Sequence, residues 1–124
     1  MKPLHILIVE DSLIYRETIR SFLLSHLAPM QISEAGNKNE ALEEIKARMP
    51  DIIFMDINLP DGSGLQLTKA LKRLYPQIKV AIISGHDSPE YVQAIKDSGA
   101  EWFLSKCSST PQEILDIVKS RSPA

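Results

Sequence analysis

Short apolar segments that alternate with helical patterns constrain the fold of this 124-residue chain more than any other feature. Three of them lack polar alternation: Leu4 to Val9 (apart from one histidine), Ile52 to Met55 and Val80 to Ile83. A strand that is apolar on both faces is typical of a parallel sheet covered on both sides. Gln31 to Ala35 and Trp102 to Ser105 are weaker strand candidates, so we expect five strands.

Helical patterns with recognisable ends separate these strands. Asn37 and Ser63 are predicted to cap two helices, Ser88 followed by Pro89 to begin another, and Thr110 to open a capping box before the last. The first helix carries an apolar stripe of Ile14, Ile19, Phe22, Leu23 and Leu27. Right-handed crossovers between parallel strands place helices on both faces of one open sheet. We therefore expect one α/β domain over residues 1–124.

Polar residues follow the apolar strands at the point where each strand ends. The first strand leads to Glu10 and Asp11, the third to Asp56, the fourth to Ser84 and the fifth to Lys106. The carboxyl ends of parallel strands share one edge of the sheet, and ligands of such sheets bind beyond that edge. Three carboxylates, one hydroxyl and one ammonium are therefore expected to converge on a small site.

The charges of these groups indicate phosphoryl chemistry with a metal. Carboxylates a few ångströms apart repel one another unless a cation lies among them, and Mg2+ suits carboxylate and phosphate oxygens. A carboxylate such as Asp56 can act as a nucleophile toward phosphorus and form an aspartyl phosphate. Lys106 and the Ser84 hydroxyl would stabilise the charge on the phosphoryl oxygens.

Four segments resemble a bacterial two-component response-regulator receiver domain over nearly the whole chain. They are Ile6 to Asp11, Pro50 to Gly62, Ile83 to Gly85 and Gly99 to Lys106. The resemblance implies a flavodoxin-like, doubly wound fold with a five-stranded parallel sheet of order 2-1-3-4-5. It also implies a phosphorylation-dependent signalling switch, not a classical turnover enzyme, that receives its phosphoryl group from a sensor histidine kinase or a histidine phosphotransfer protein.

The resemblance also implies roles for the metal-binding residues. By position, Asp56 resembles the phosphoacceptor and is itself a metal ligand. Asp11 and the backbone carbonyl of Asn58 resemble the other direct ligands of Mg2+, and Glu10 resembles the residue that acts through a bound water.

Further residues resemble those that bind the phosphate and transmit the signal. Lys106 matches the phosphate-binding lysine, while Ser84 and Phe103 match the switch hydroxyl and the switch aromatic residue. His86 stands two positions after Ser84, where our hypothesis is that it tunes the access of water to the acyl phosphate, and Asn58 is a second candidate for tuning.

One position departs from a common family pattern. Cys107 follows Lys106, where many relatives have proline in a cis bond. This resembles the branch whose receivers are joined to a C-terminal helix-turn-helix DNA-binding domain. We predict a trans bond between Lys106 and Cys107, because a cis bond before a non-proline residue costs roughly 2.5–4 kcal/mol.

Composition limits the classes of partner. Hydrophobic residues make up 44% of the chain, and the formal net charge of -2 gives no support for nucleic-acid binding by this domain itself. No apolar stretch approaches the roughly 20 residues of a membrane span, so we expect a soluble cytoplasmic protein. The sequence leaves two questions open. One is whether the chain forms a homodimer on phosphorylation, and the other is whether a C-terminal DNA-binding domain is missing.

Three alternative functions fit the sequence less well than the switch. A haloacid-dehalogenase-type phosphohydrolase would need a second carboxylate two residues after the nucleophile, where this chain has Asn58. A flavodoxin-like cofactor binder would offer amides and hydroxyls after the first strand, whereas Glu10 and Asp11 repel phosphate. A degenerate receiver that serves only as an interaction module would not need the complete acidic, hydroxyl and lysine set.

Overall fold

The computed structural model describes residues 3–26, 30–85, 88–106 and 111–121. Within these ranges, five strands form the main sheet: β1 (Leu4–Val9), β2 (Met30–Ala35), β3 (Ile52–Asp56), β4 (Lys79–Ser84) and β5 (Trp102–Ser105). The helices described there are α1 (Leu13–His26), α2 (Lys38–Ala47), α3 (Gly64–Leu74), α4 (Pro89–Asp97) and α5 (Pro111–Arg121). Each strand is followed by a helix, as the alternating pattern predicts.

The main sheet is entirely parallel and has the strand order β2-β1-β3-β4-β5. This confirms the predicted flavodoxin-like order 2-1-3-4-5. A short antiparallel hairpin between Asn58–Leu59 and Gly62–Ser63 lies between β3 and α3 and was not predicted. Its strands are two residues each, too short to give a periodic signal.

Two apolar clusters cover the two faces of the sheet. Alternate strand residues such as Leu7, Val9 and Ile82 pack with α2, α3 and α4, and we call this group the α2–α4 cluster. The intervening residues, such as Ile8 and Phe54, pack with α1 and α5 in what we call the α1/α5 cluster. Because successive side chains on a strand point to opposite faces, both sets of strand positions must be apolar, which explains the unbroken runs.

The predicted helix ends are confirmed in part. The side chain of Asn37 accepts a hydrogen bond from the Glu40 N–H at 2.8 Å, and that of Ser63 accepts one from the Gln66 N–H at 3.3 Å. Ser88 occupies the predicted cap position of α4, but its side chain makes no capping hydrogen bond. Thr110, the remaining predicted cap, lies outside the described residues.

The prediction that Ile14 belongs to the apolar stripe of α1 is wrong, because this side chain is 80% exposed. Ile19 and Leu23 of the same stripe are buried. At about 100° per residue, Ile14 points about 140° away from Ile19 around the helix. In the part of the chain that is described, no helix combines the length and the apolar character needed to cross a membrane.

Candidate functional site

The strand ends bring Glu10, Asp56 and Lys106 to one edge and one face of the sheet. Each stands two residues after a strand residue of the α1/α5 cluster, namely Ile8, Phe54 and Leu104. Strand alternation therefore directs all three toward the face that carries α1. Backbone hydrogen bonds extend the pairing just past the strands, from Glu10 N to Ala35 O at 3.0 Å and from Lys106 N to Ser84 O at 2.8 Å.

The three predicted carboxylates form a compact acidic group. One oxygen each from Glu10, Asp11 and Asp56 lies within 4.8 Å of the others. Glu10 is 1% exposed and Asp56 is 6% exposed, whereas Asp11 is open to solvent. The group therefore has a buried floor and one accessible side.

Lys106 bridges the two buried carboxylates. Its Nζ lies 2.9 Å from Glu10 Oε2 and 3.5 Å from Asp56 Oδ2, and its side chain is 27% exposed. One ammonium thus faces three carboxylates. The remaining negative charge, displayed on closely spaced hard oxygens, fits the donor set that Mg2+ takes in proteins.

Burial and charge shift the pKa values of this pair. Burial raises the pKa of Glu10 above its ordinary value and the charge of Asp56 adds to the rise, although the contact with Lys106 opposes it. Burial works to lower the pKa of Lys106, but Glu10 and Asp56 outweigh it, so this pKa lies above its ordinary value. Lys106 is therefore a firmly protonated cation at neutral pH.

The backbone after Asp56 makes a tight approach to the start of α3. The Asn58 N–H lies 3.4 Å from Asp56 Oδ1, and the Asn58 side chain is exposed beside the site. The Gly64 N–H donates to the carbonyl of Ile57 at 2.7 Å. A Cβ atom on Gly64 would lie 1.9 Å from the carbonyl oxygen of Asp56, so glycine is required there. Sequence analysis missed Gly64, because such a contact leaves no pattern in the sequence.

The two predicted switch residues lie on the other face of the sheet. Ser84 is 1% exposed at the end of β4, next to Ile83, which pairs with Asp56. Phe103 pairs with Ile82 in the neighbouring strand and packs, half-buried, against the α2–α4 cluster. Because Ser84 stands two residues after Ile82, Ser84 and Phe103 share the face that carries α4.

Two α1 residues beside the site were not singled out from the sequence. Arg16 donates from Nη1 to the carbonyl of Glu10 at 2.8 Å and from Nε to Glu34 Oε1 at 3.0 Å, so it ties the end of β1 to the end of β2. The ring centroid of Tyr15 lies 4.9 Å from Lys106 Nζ. Tyr15 and Arg16 stand four and five residues after Asp11, in the first turn of α1. This closeness in sequence is the only signal that could have indicated them.

Two residues with sequence-based predictions cannot be placed, and a buried histidine of β1 lies away from the site. His86, Cys107 and the Lys106–Cys107 bond fall outside the described residues, so their predictions stay untested by the structure. His5 is buried near the start of β1, where its Nε2 lies 2.8 Å from Ser33 Oγ. This is the opposite end of the strand from Glu10, so His5 takes no part in the acidic site.

Comparison with known proteins points to one family. The family model of the response regulator receiver domain, which describes the family's sequences, matches residues 6–119. The transcriptional activator protein ExaE of Pseudomonas putida is 35% identical over 92% of this chain and 53% of its own length. The transcriptional regulatory protein DegU of Brevibacillus brevis is 31% identical over 83% of this chain and 44% of its own length. The chain thus spans about half the length of these curated relatives.

A solved structure agrees with the fold. The receiver domain of the response regulator NarL from Mycobacterium tuberculosis is 30% identical, with a TM-score of 0.86. The alignment covers 97% of this chain and 96% of that one. The similarity therefore extends over nearly the whole length of both chains.

Proposed function

Because the chain belongs to the response regulator receiver domain family, we propose that it is a phosphorylation-dependent signalling switch whose phosphoacceptor is Asp56. The observation that carries the proposal is the position of Lys106, whose ammonium lies 3.5 Å from Asp56 at the floor of the acidic group. A carboxylate nucleophile needs a neighbouring cation to bind the phosphoryl oxygens, and Lys106 is in place to do so.

The acidic group fits a divalent metal. Asp11, Asp56 and the backbone carbonyl of Asn58 would hold Mg2+ directly, with Glu10 acting through water. When bound, Mg2+ would neutralise carboxylate charge and polarise the phosphoryl oxygens. The half-open shape of the group, with Asp11 exposed and Glu10 buried, supports entry of a hydrated ion from the solvent side.

The residues of the chain itself would carry out the transfer as follows. An oxygen of Asp56 attacks the phosphorus of a phosphohistidine whose other ring nitrogen carries a proton. A P–O bond forms, the P–N bond breaks with its electron pair going to the ring nitrogen, and neutral imidazole leaves. Lys106 turns from the carboxylate of Glu10 toward the new phosphoryl oxygens. The acid–base demand is small, because the carboxylate attacks in its ionised form.

The phosphoryl group then becomes a signal through its charge. The acyl phosphate carries about -1.5 to -2 charge where the Asp56 carboxylate carried -1, and it presents strong acceptor oxygens farther out from the strand end. Ser84 turns its hydroxyl toward the phosphate, and Phe103 moves into the space that this vacates. The surface formed by α4, β5 and α5 changes shape, and a partner reads it.

The partners follow from this chemistry. A histidine kinase or histidine phosphotransfer protein in the cytoplasm supplies the phosphoryl group. The output is carried by a partner, by a second copy of the chain, or by an attached effector. The regulatory relatives, which are about twice as long as this chain, support an attached DNA-binding effector in a longer polypeptide.

The proposal is tested with acetyl phosphate, Mg2+ and mass spectrometry. We expect one acid-stable, base-labile phosphoryl group on Asp56, and none in Asp56→Asn. Asp116→Asn, which changes an exposed aspartate of α5, is the matched control and should be phosphorylated like the wild type. A phosphoryl group on a histidine, or one that persists in Asp56→Asn, would contradict the proposed mechanism.

A further inference from the structure

Tyr15 is the third neighbour of the Lys106 ammonium. Glu10 and Asp56 provide the two ionic contacts, at 2.9 and 3.5 Å, and the Tyr15 ring centroid lies 4.9 Å from Nζ. The ammonium therefore contacts two carboxylates and one aromatic ring. A cation within about 6 Å of the centre of an aromatic face is attracted by the negative face of the ring.

The ring is held in place by its own packing. Tyr15 is half-buried and packs against the α1/α5 cluster. It also lines, with residues of both helices such as Phe22 and Ile114, a cavity of about 180 Å³ between α1 and α5. Lys106 lines the same cavity. A fixed ring beside a flexible lysine limits the directions that the lysine can take.

This limit matters because Lys106 must exchange partners during the proposed reaction. Its ammonium lies nearer to Glu10 than to Asp56, yet the phosphoryl group arrives on Asp56. A lysine side chain has many rotamers, and 27% of this one is exposed, so solvent competes for the ammonium. An aromatic face that attracts the ammonium before and after the exchange would keep it over the site.

We propose that Tyr15 is a positioning residue that holds the Lys106 ammonium over the acidic group and guides it from Glu10 to the phosphoryl group on Asp56. The inference rests on the proposed function, since it assigns Tyr15 a part in that reaction. It acts through the ring and not through the hydroxyl. Tyr15→Phe should therefore behave like the wild type, whereas Tyr15→Leu, which keeps an apolar side chain, should not.

The experiment compares these two variants with Phe22→Leu, which removes an aromatic ring from the same cavity two turns further along α1. The first readout needs neither metal nor phosphate. Protons next to the Lys106 Nζ should show an upfield ring-current shift in wild type, Tyr15→Phe and Phe22→Leu, and lose it in Tyr15→Leu. The second readout is the affinity for beryllofluoride, a phosphoryl mimic, at saturating Mg2+. It should weaken roughly three- to tenfold in Tyr15→Leu only, the size expected for a partly screened cation–π contact.

The third readout is Mg2+ affinity, which separates a loss of Lys106 positioning from a general disruption of the acidic group. Lys106 competes with Mg2+ for the carboxylates, so freeing it in Tyr15→Leu should leave Mg2+ affinity unchanged or tighter. If Tyr15→Leu weakens Mg2+ and beryllofluoride binding alike, or if Tyr15→Phe and Phe22→Leu match its defect, the positioning role is refuted. Unchanged beryllofluoride affinity in Tyr15→Leu also refutes it. A wild type that accepts no phosphoryl group on Asp56 contradicts the proposed function instead, and the ring-current shift still reports on the contact.

Discussion

Gly64 lies so close to Asp56 that a Cβ atom on Gly64 would be 1.9 Å from the Asp56 carbonyl oxygen. The clash would be with the backbone and not with the end of a flexible side chain. Relief would require moving either the first turn of α3 or the strand end that carries the proposed phosphoacceptor. The start of α3 and the position of Asp56 are thus set together.

Gly64→Ala should therefore destabilise the protein and disturb the site. We expect a loss of about 1–3 kcal/mol in the free energy of unfolding, the usual range for overpacking, measured by urea denaturation. Gly85→Ala is the matched control, because a Cβ on Gly85 would meet nothing within 4 Å. Equal stability of the two variants would show that the close approach at Gly64 is relieved at little cost.

Asp11→Asn should weaken Mg2+ binding. Asp11 contributes the exposed oxygen of the acidic group, and the substitution removes one negative charge and one hard ligand while keeping the shape of the side chain. Calorimetric titration should show at least about a tenfold loss of affinity, the effect of about 1.4 kcal/mol. Asp97→Asn, on the last turn of α4, should bind Mg2+ like the wild type. Unchanged affinity in Asp11→Asn would contradict the assignment of Asp11 as a ligand.

Ser84→Ala should separate phosphorylation from response. Asp56 and Lys106 remain in place, so the variant should still take up a phosphoryl group from acetyl phosphate. Chemical-shift mapping with beryllofluoride should show smaller changes around Phe103 and the last two helices than in the wild type. Equal, large changes in both proteins would mean that the Ser84 hydroxyl does not couple the site to the surface.

Asp61 should stabilise the first turn of α2 only while it is ionised. Its carboxylate accepts hydrogen bonds from the Lys38 and Asn39 N–H groups at 2.7 and 3.1 Å, and the bond from Lys38 is the main cause of its lowered pKa. A carboxyl group whose pKa is lowered on folding adds stability above its ordinary pKa of 3.8, and that stability is lost as the pH falls through the lowered value.

Asp61→Ala should therefore speed amide hydrogen exchange at Lys38 and Asn39 at pH 7. The difference from the wild type should shrink as the pH falls below 3.8. Asp116→Asn serves as the control for loss of a surface charge. A difference that does not change with pH would show that the charge of Asp61 does not contribute to the cap.

The strands could be located from sequence because burial on both faces leaves few polar residues in them. The predicted strand from Ile52 to Met55 differs from the observed Ile52–Asp56 by one residue. Ile14 shows where pattern reasoning fails, since an apolar residue near a helix start can point away from the sheet and stay exposed. Its hydrophobic character alone does not determine the direction of the side chain.

The convergence of Glu10, Asp56 and Lys106 could also be predicted, because parallel strands deliver their carboxyl ends to one edge. The contacts among them could not be predicted. The ion pair between Lys106 and Glu10 depends on which rotamer a long side chain adopts between two acids. The Tyr15 contact depends on how α1 is rotated against the sheet, and this is decided by the packing of the whole α1/α5 cluster.

The two apolar clusters lie behind two different groups of residues, those proposed to receive the phosphoryl group and those proposed to transmit the signal. Glu10, Asp56 and Lys106 follow the face that carries α1, whereas Ser84 and Phe103 follow the face that carries α4. The clusters share no residue, so Phe103 can repack without loosening the apolar contacts that hold Tyr15 and the start of α1. Substitutions that adapt the α4 side of the reading surface to a new partner would therefore leave the packing behind Glu10, Asp56 and Lys106 unchanged.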